Sequence, residues 1–399
     1  MAETPLRVLC LDIEGGHGGS SRSLLESIRH MDRARLAIEV WCRRDGAARA
    51  RYADLGVACR ITPTMPKVSA LPRLSRNLYV HGFLLRDLWR ARGFLADLTV
   101  ATDSRFDLVH CNHEALHPVA RRLRRRSAIP LTMHIRTNLH DSLFARRQVR
   151  AIAGAVDHLV FITENERESF ARLGGRPRAG SVIHNIATPP PPATTPHPDI
   201  PQDARFRVAC LSNYSWGRGL DRLVDVAEAL AAAGRRDVVF VVAGDMHLTR
   251  SLPGALGRTA RQGGTLADYA TARGVGELFL FLGHVAEPER VLVACDALAK
   301  PTREANPWGR DVIEALAAGR PVFSVGRYDR FVADGVTGIL QPEFDAAALA
   351  RRIAALADDR VAAAALGAAG QARVAALCDG PARAAELLAL WRAVAGGRA

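Results

Sequence analysis

The sequence predicts an α/β protein made of two doubly wound, Rossmann-like parallel-sheet domains. Short apolar segments alternate with segments of helical spacing through most of its 399 residues, and such alternation is typical of a parallel sheet covered by helices. A proline-rich segment, residues 188–205, interrupts the pattern near its middle, and the pattern then restarts. Because prolines remove backbone donors and hold a chain extended, we interpret this segment as a linker between two domains.

The composition is that of a globular chain with more than one domain. Apolar residues make up 48% and charged residues 24% of the 399 positions, which is too long a chain for one ordinary core. The formal charge of +13 comes almost wholly from arginine. It would suit a phosphate-rich partner or an anionic membrane surface, and an arginine-rich composition alone would also explain it.

The cysteines and the N-terminus predict a cytoplasmic protein. Seven cysteines are scattered without a C-x-x-C pair, so they indicate reduced core thiols and not a disulfide framework or a zinc site. Asp12 and Glu14 stand where a signal peptide would carry apolar residues. No apolar run looks long enough to cross a bilayer. A peripheral position on the inner membrane face stays open.

In the first half, an apolar strand at residues 7–13 precedes a glycine-rich loop and a helix over residues 20–29. An insertion at residues 65–98 would either pack as an amphipathic helix or face lipid or a hydrophobic acceptor. The arginine-rich residues 121–126 would form a solvated helix face or contact anionic lipid; nucleic acid is not expected, because no aromatic stacking platform accompanies them. Further strands are expected at residues 37–42, 57–61, 107–111, 131–135, 158–162 and 181–184.

In the second half, the most informative segment is a strand, loop and helix over residues 296–319. In an open α/β sheet such a turn lies outside the carboxyl end of a strand, where ligands bind, and a helix N-terminus there favours an anion. Gly309 would let a ligand approach the backbone, and Glu314 could direct a carboxylate toward sugar hydroxyls. A nucleotide sugar offers both an anionic diphosphate and sugar hydroxyls. The other strands are expected at residues 206–212, 238–243, 278–282 and 321–325, with a helical tail from residue 345.

The stretch DALAKPTREANPWGRDVIEALAAGRP resembles the donor-sugar motif of family 4 retaining glycosyltransferases of the GT-B fold. In that motif two glutamates, eight positions apart, flank an aromatic residue and a glycine, here Trp308 and Gly309. Glu314 matches the second glutamate, which in the family holds the nucleotide ribose. Asn306 stands at the first, so an amide replaces a carboxylate beside the transferred sugar. Glu304 is nearby but out of register.

A second segment, LSNYSWGRGLDRL, is similar to the phosphate clamp of the family. Arg218 stands at its lysine position and Asn213 at its arginine position, and Arg310 could supply another charge. The sequence holds no D-x-D triplet and no cluster of metal ligands, so we expect neither a metal ion nor another cofactor. The departing diphosphate would be stabilised by a helix N-terminus, backbone N–H groups and arginines.

Two features of the first half also fit the resemblance. Gly18 and Gly19 match a Gly-Gly that lets the backbone reach the donor diphosphate, and a tight turn would need the same glycines. His134 ends the strand LTMHI, as does a family histidine that faces the donor sugar; a structural histidine is equally open.

The resemblance implies a GT-B architecture with two domains facing each other across a cleft. Residues 1–187 would form the acceptor-side domain, residues 206–380 the nucleotide-sugar-binding domain, and residues 381–399 a helix that crosses back to the first domain.

We therefore predict a metal-independent retaining glycosyltransferase that moves a sugar from a nucleotide sugar to a saccharide or lipid-linked acceptor, in cell-envelope polysaccharide or glycolipid assembly. A non-catalytic nucleotide-sugar-binding protein and a basic membrane-associated scaffold are the alternatives. The predicted catalytic residues are His134, Arg218 and Glu314. The predicted substrate-binding residues are Gly18, Gly19, Asn213, Arg218, Asn306, Trp308, Gly309, Arg310, Asp311 and Glu314.

Overall fold

Two parallel sheets, one in each half of the chain, organise the structure, a computed structural model that describes residues 4–16, 18–68, 86, 89–304 and 306–397. The contacts within these residues divide the chain into two units. Unit 1 holds the chain up to Ile186 together with the residues from Gly380 onward, and unit 2 holds Ala187–Asp379. The fold is therefore the predicted pair of doubly wound α/β domains.

The described part of unit 1 contains a seven-stranded sheet with the order β3-β2-β1-β4-β5-β6-β7. Neighbouring strands are parallel, and the order reverses between β1 and β4, where ligands bind in open α/β sheets. The strands are β1 Leu6–Asp12, β2 Leu36–Cys42, β3 Ala58–Ile61, β4 Leu108–Cys111, β5 Leu131–Ile135, β6 His158–Phe161 and β7 Gly180–Val182. The helices are α1 Gly19–Arg29, α2 Ala48–Asp54, α3 Arg92–Ser104, α4 His117–Arg124, α5 Leu143–Ala155 and α6 Glu164–Arg172, with 3-10 turns at Arg33–Arg35 and Glu114–Leu116.

The described part of unit 2 contains a six-stranded sheet with the order β10-β9-β8-β11-β12-β13. Its strands are parallel too, and its order reverses between β8 and β11. The strands are β8 Phe206–Leu211, β9 Val238–Ala243, β10 Phe279–Gly283, β11 Ala297–Lys300, β12 Val322–Val325 and β13 Gly338–Gln341. The helices are α7 Arg222–Ala232, α8 Gly254–Arg261, α9 Leu266–Ala272, α10 Pro288–Ala294, α11 Arg310–Ala317, α12 Ala346–Asp358 and α13 Arg360–Leu377, with a 3-10 turn at Gly276–Leu278.

Each sheet is covered on both faces, as the strand sequences require. In β1, Leu9 and Leu11 belong to one apolar cluster and Val8 and Cys10 to another, because successive side chains of a strand point to opposite faces. Parallel strands buried on both faces read as continuous apolar runs, which is why they were predicted from sequence. All seven cysteines are free thiols, and all but Cys59 are buried.

The predicted strands are all present, with ends that agree to within two residues. The prediction missed β13, which pairs in parallel with β12. Its sequence, GILQ, is short and carries glycine and glutamine at its ends, so it gives no strand pattern. Most of the predicted insertion at residues 65–98 lies outside the described residues; its last part begins α3, where Phe94 and Leu98 are buried.

The segment Arg360–Gly396 corrects the expectation that no apolar run is long enough to cross a bilayer. Its most apolar 18-residue window has a mean hydropathy of 1.4, and it passes as a membrane span by length and composition, with 28% of that window buried. It consists of α13 and a further helix, α14 Gly380–Gly396. Helix α13 packs on α11 in unit 2, and α14 packs on α1 in unit 1. These contacts bury part of the apolar surface of α13 and α14.

Helix α14 is fixed to unit 1 by Trp391, whose side chain is fully buried with its ring 5.1 Å from that of His110. We expect Trp391→Ala to lower the free energy of unfolding by about 3–5 kcal/mol, because the truncation leaves a cavity in the core. Urea unfolding measures this. The control, Val361→Ala, truncates an apolar side chain that is 81% exposed and should stay within about 0.5 kcal/mol of the parent. Equal effects in the two variants would contradict the assignment of α14 to this core.

Candidate active site

The candidate site in unit 2 is built from two loops that leave neighbouring strands. Strands β8 and β11 pair in parallel, so the loops that follow them emerge at the same edge of the sheet. The β8 loop comprises residues 212–221 and leads to α7, and the β11 loop comprises residues 301–309 and leads to α11. Eight of the ten predicted binding residues lie in these loops or in the first turns of α11.

Arg303 ties the two loops together. Its backbone N–H donates to the carbonyl oxygen of Gly217 at 2.7 Å. Its guanidinium forms two hydrogen bonds, of 2.8 and 2.5 Å, with the carboxylate of Asp221, which is 5% exposed. The same guanidinium lies 3.7 Å from the centre of the Trp216 ring. A paired, stacked arginine of this kind holds both loops in one arrangement.

Two glycines of the β8 loop permit this close approach. Gly219 has φ +69°, and a Cβ on it would lie 2.2 Å from the carbonyl oxygen of Pro301. A Cβ on Gly217 would lie 2.3 Å from Oε1 of Glu304. A side chain at Gly219 would require the backbone of the β11 loop to move, whereas one at Gly217 would require the Glu304 side chain to shift. Packing between the loops therefore favours glycine on both sides of Arg218.

Arg218 and Asn213, the two predicted phosphate-clamp residues, are both exposed in the β8 loop. Arg218 Nη1 donates to Ser212 Oγ at 2.8 Å and to the carbonyl oxygen of Asn213 at 3.3 Å. Asn213 Oδ1 accepts a hydrogen bond of 2.8 Å from the backbone N–H of Asp245. The amide of Asn213 therefore connects the β8 loop to the loop after β9.

The N-terminus of α11 carries a charged pair that sequence reasoning missed. Lys300, the last residue of β11, places its Nζ 3.1 and 3.2 Å from the two carboxylate oxygens of Asp311. A Cβ on Gly309, the N-cap residue, would lie 2.5 Å from Asp311 Oδ1 and 2.7 Å from Lys300 Nζ. Gly309 has an extended backbone, with φ 174°, so glycine is favoured here by the closeness of these two side chains and not by its backbone conformation. The available signal was a lysine ending an apolar strand, ALAK.

Arg310 and Glu314 pair with each other on α11. Arg310 Nε lies 2.8 Å from Glu314 Oε1, and both side chains are 13% exposed. The sequence suggested separate ligands for them, a diphosphate for Arg310 and a ribose for Glu314. In the structure the charge of Arg310 is directed at Glu314.

Two buried polar atoms of the β11 loop lack a hydrogen-bond partner within the described residues. These are Oδ1 of Asn306 and Nε1 of Trp308. Trp308 is 2% exposed, and its ring stacks on Phe331 with centroids 5.1 Å apart. Leaving buried polar groups unsatisfied costs free energy, and such exceptions are frequent at functional sites.

In unit 1, the glycine-rich loop follows β1. Gly15 and Gly16 adopt positive φ angles of 64° and 101°, and the N–H of Gly15 donates to the buried Asp12 carboxylate at 3.0 Å. Gly18 has φ −129° and caps α1, which begins at Gly19. The tight turn therefore uses Gly15 and Gly16, and Gly18 and Gly19 lie at a helix N-terminus.

His134 lies in the interior of unit 1 and is 4% exposed. Its Nδ1 is 2.8 Å from Nε2 of His110, whose Nδ1 is 2.8 Å from Thr132 Oγ1. Burial lowers the pKa of His110 to about 3, with the charge of Arg136 acting in the same direction. Burial, Arg136 and His110 hold the pKa of His134 well below its usual value. Both imidazoles are therefore neutral at neutral pH.

A polar network at the carboxyl ends of β1, β4 and β5 was not predicted. Arg136 is 9% exposed and donates to the carbonyl oxygen and to Oδ1 of Asn112 at 2.7 and 2.5 Å, and to Oδ1 of Asn185 at 3.0 Å. Asn112 in turn donates to Asp12 at 3.0 Å. Glu114 accepts from the backbone N–H of Arg136 at 2.9 Å. These groups surround the point where the strand order reverses.

Each unit of the chain matches a protein-family model. The model described as "Glycosyl transferase 4-like domain" matches residues 18–186, and the model described as "Glycosyl transferases group 1" matches residues 205–359. The chain is a GT-B glycosyltransferase. The donor class of such enzymes, a nucleotide sugar, follows from this assignment. Among curated proteins, none matches this glycosyltransferase.

Solved structures share the fold of the glycosyltransferase along nearly its whole length. HepE from Anabaena, in a crystal structure with UDP and glucose, is 20% identical, with 96% of this chain and 99% of that chain covered and a TM-score of 0.76. A glycosyltransferase from Rickettsia africae is 13% identical, with 99% and 100% covered and a TM-score of 0.74. Sucrose-phosphate synthase from Thermosynechococcus elongatus is 19% identical, with 97% and 98% covered and a TM-score of 0.72. At these sequence identities the similarity shows a shared fold and nothing more.

The neutral histidine pair makes the stability of the glycosyltransferase depend on pH. The pKa of His110 is about 3 in the folded protein, below its ordinary 6.5, so between these values the unfolded state binds more protons. Stability present above pH 6.5 is therefore lost as the pH falls, by about 1.4 kcal/mol per pH unit for each such histidine. Urea unfolding between pH 7.5 and 5 should show this loss. His110→Gln should flatten the dependence, whereas His140→Gln, at an exposed position, should not; a slope unaltered by His110→Gln would refute the assignment.

Proposed function

We propose that this glycosyltransferase is a retaining enzyme of family 4 that works without a metal ion. It moves a sugar from a nucleotide-sugar donor to an acceptor hydroxyl. The observation that carries the proposal is the pair of linked loops in unit 2, in which Arg303 joins the β8 loop to the β11 loop. These loops bring Arg218 and the N-terminus of α11 to one edge of the sheet, as a diphosphate site requires.

In the proposed reaction the bond between the anomeric carbon and the diphosphate oxygen breaks. The acceptor oxygen forms its bond on the face that the leaving group vacates, so the configuration is retained, and the acceptor proton passes to the departing diphosphate. The negative charge that develops there is stabilised by Arg218 and by backbone N–H groups at the start of α11. No pair of carboxylates is needed for this route.

The other site residues take supporting roles. Glu314 binds the ribose hydroxyls, and its 2.8 Å ion pair with Arg310 orients its carboxylate. Asn306, Trp308 and Gly309 line the donor sugar and diphosphate, and the unpaired atoms of Asn306 and Trp308 gain partners from the donor.

In unit 1, we assign Gly18 and Gly19 to the donor diphosphate and His134 to the donor sugar. Because Nδ1 of His134 is hydrogen-bonded to His110, the contact with the donor sugar would be made by Nε2 of His134. The neutral state of this ring makes it a hydrogen-bonding group and not a charge.

The charge arrangement supports a reaction without a metal ion. Among the described residues, no group of three or more His, Cys, Asp or Glu side chains could hold such an ion. Arginines and backbone N–H groups supply positive charge and dipoles to the diphosphate instead.

We place the enzyme in the cytoplasm, peripherally on the inner membrane face, with a saccharide or lipid-linked acceptor of cell-envelope polysaccharide or glycolipid assembly. The net charge of +13 supports the position beside an anionic membrane surface. So do four exposed arginines at the end of α4 and just after it, each of which would contribute about 1 kcal/mol near an anionic lipid surface. They are Arg121, Arg122, Arg125 and Arg126.

A second candidate is a nucleotide-sugar-binding protein without catalysis. Two amides favour this second candidate. Asn306 stands at a family glutamate position and Asn213 at a family arginine position, and Oδ1 of Asn213 accepts a hydrogen bond from the backbone N–H of Asp245. A binder would keep Glu314 and Arg218 for affinity and lack turnover.

A panel of nucleotide sugars, incubated with the enzyme without acceptor, tests the proposal. Slow donor hydrolysis is expected, because water replaces the acceptor. Glu314→Ala should lower kcat/KM by about 10- to 100-fold, since it removes hydrogen bonds between a charged group and the ribose. Glu343→Ala, a glutamate whose side chain is 88% exposed in the same unit, is the matched control and should react as the parent does.

Each alternative predicts a different outcome. Tight nucleotide-sugar binding without turnover would favour the non-catalytic binder, and no binding at all would favour a basic scaffold. Activity lost with EDTA and restored by Mg²⁺ would contradict the metal-free route. With an acceptor present, NMR of the product should show the anomeric configuration of the donor; an inverted product would contradict retention.

A further inference from the structure

Lysine is rare in this chain, and one of its two occurrences lies in the candidate site. Of the 54 basic side chains only Lys67 and Lys300 are lysines, and the other 52 are arginines. Lys300 ends β11, and its side chain is 22% exposed. An ammonium is a compact point charge with three donors on a flexible stem, so it can move between partners more easily than a planar guanidinium can.

The ammonium of Lys300 lies at the N-terminus of α11. It is 2.7 Å from the position that a Cβ on Gly309, the N-cap residue, would take. A helix N-terminus is the positive end of the helix dipole, so it stabilises anions and disfavours cations. Asp311 balances one positive charge at 3.1 Å. Asp311, in the first turn, is well placed to stabilise the helix, whereas the ammonium of Lys300 is disfavoured there and would be stabilised by a further anion.

A second cation lies near the same point. Strand β8 pairs with β11, with Ala209 opposite Leu298, so the end of β8 and Lys300 at the end of β11 lie side by side. Arg218 Nη1 donates to Oγ of Ser212, the first residue after β8, at 2.8 Å. The β8 loop and the end of β11 therefore bring Arg218 and Lys300 to the same part of the sheet edge. Arg310, in contrast, pairs with Glu314.

We propose that Lys300 binds the donor diphosphate and that Asp311 is its partner while the site is empty. On donor binding the ammonium moves its hydrogen bonds from the Asp311 carboxylate to the diphosphate. Lys300 thereby provides the second cation, beside Arg218, that Asn213 does not. This inference rests on the proposed function, because it takes the diphosphate of a nucleotide sugar as the anion.

Asp311 then has a distinct role in the same site. Its carboxylate repels the diphosphate that approaches the N-terminus of α11, and it competes for Lys300. It therefore limits affinity for the nucleoside diphosphate product and speeds its release, a step that sets the turnover rate of many enzymes.

The proposal predicts opposite effects for the two residues. Lys300→Met should weaken binding of UDP or GDP, whichever the enzyme takes, by about 10- to 100-fold, the usual range for a hydrogen bond between charged groups. Asp311→Asn should tighten that binding by about three- to tenfold, because it removes a like charge. A merely structural ion pair predicts that both changes weaken binding, since each leaves a half-buried charge alone.

Isothermal titration calorimetry of full-length variants with UDP, GDP and the matching nucleosides measures these effects. Lys300→Arg keeps the charge and should retain most of the affinity. The double variant Lys300→Met/Asp311→Asn leaves no unpaired charge, so it tests the loss of affinity even if Lys300→Met unfolds. Arg236→Met, which removes an exposed arginine just before β9, at the opposite edge of the sheet, is the control and should bind as the parent does. Nucleoside affinity should not change in any variant.

Four outcomes would decide against the proposal. If the double variant binds nucleoside diphosphate as tightly as Asp311→Asn does, Lys300 is not a ligand. If Asp311→Asn weakens binding as Lys300→Met does, the pair is structural. If Arg218→Ala loses binding and Lys300→Met keeps it, the proposed function stands without this inference. Failure of the parent to bind any nucleoside diphosphate would overturn both.

Discussion

The pairing of β8 with β11 is the contact on which the candidate site depends. These strands are far apart in sequence, yet they are neighbours in the sheet, with Ala297 opposite Val208 and Leu298 opposite Ala209. Because they are parallel, both following loops leave at one edge, at the point where the strand order reverses. The bonds of Arg303 with Gly217 and Asp221 then fix one loop on the other. A site held by a buried sheet and by charge-assisted hydrogen bonds is ordered before the donor arrives, so binding orders few groups.

The two units arrange their charges differently. In unit 2 the site groups form ion pairs, such as Lys300 with Asp311, that stay partly exposed. In unit 1 the groups at the sheet edge are buried, and the His110–His134 pair stays neutral. Arg136 is the buried cation there, held by the amide oxygens of Asn112 and Asn185 and by a carbonyl oxygen. Unit 2 thus keeps its site charges in partly exposed pairs, whereas unit 1 buries a network of charged and neutral polar groups.

The sequence was sufficient to predict the two sheets, but it was not sufficient to predict which side chains pair with each other. Buried parallel strands appear as apolar runs, so nearly all of them were found, and β13 was missed because GILQ carries too few apolar residues. Glu314 and Arg218 could be proposed as site residues because short motifs carry them. The pairing of Lys300 with Asp311 was missed because it exists only once α11 returns to the end of β11. The environment of His134 was equally hidden, since His110 is 24 residues away in sequence.

Helix α14 belongs to unit 1 although all of unit 2 precedes it in the chain. During synthesis the ribosome therefore makes residues 187–379 before the segment that carries Trp391. At translation rates of about 5–20 residues per second this leaves the first sheet without one of its covering helices for roughly ten to forty seconds. The nascent chain exposes apolar surface over β4 and β5 throughout that interval. A chaperone that shields this surface would act on the half of the protein that is synthesised first.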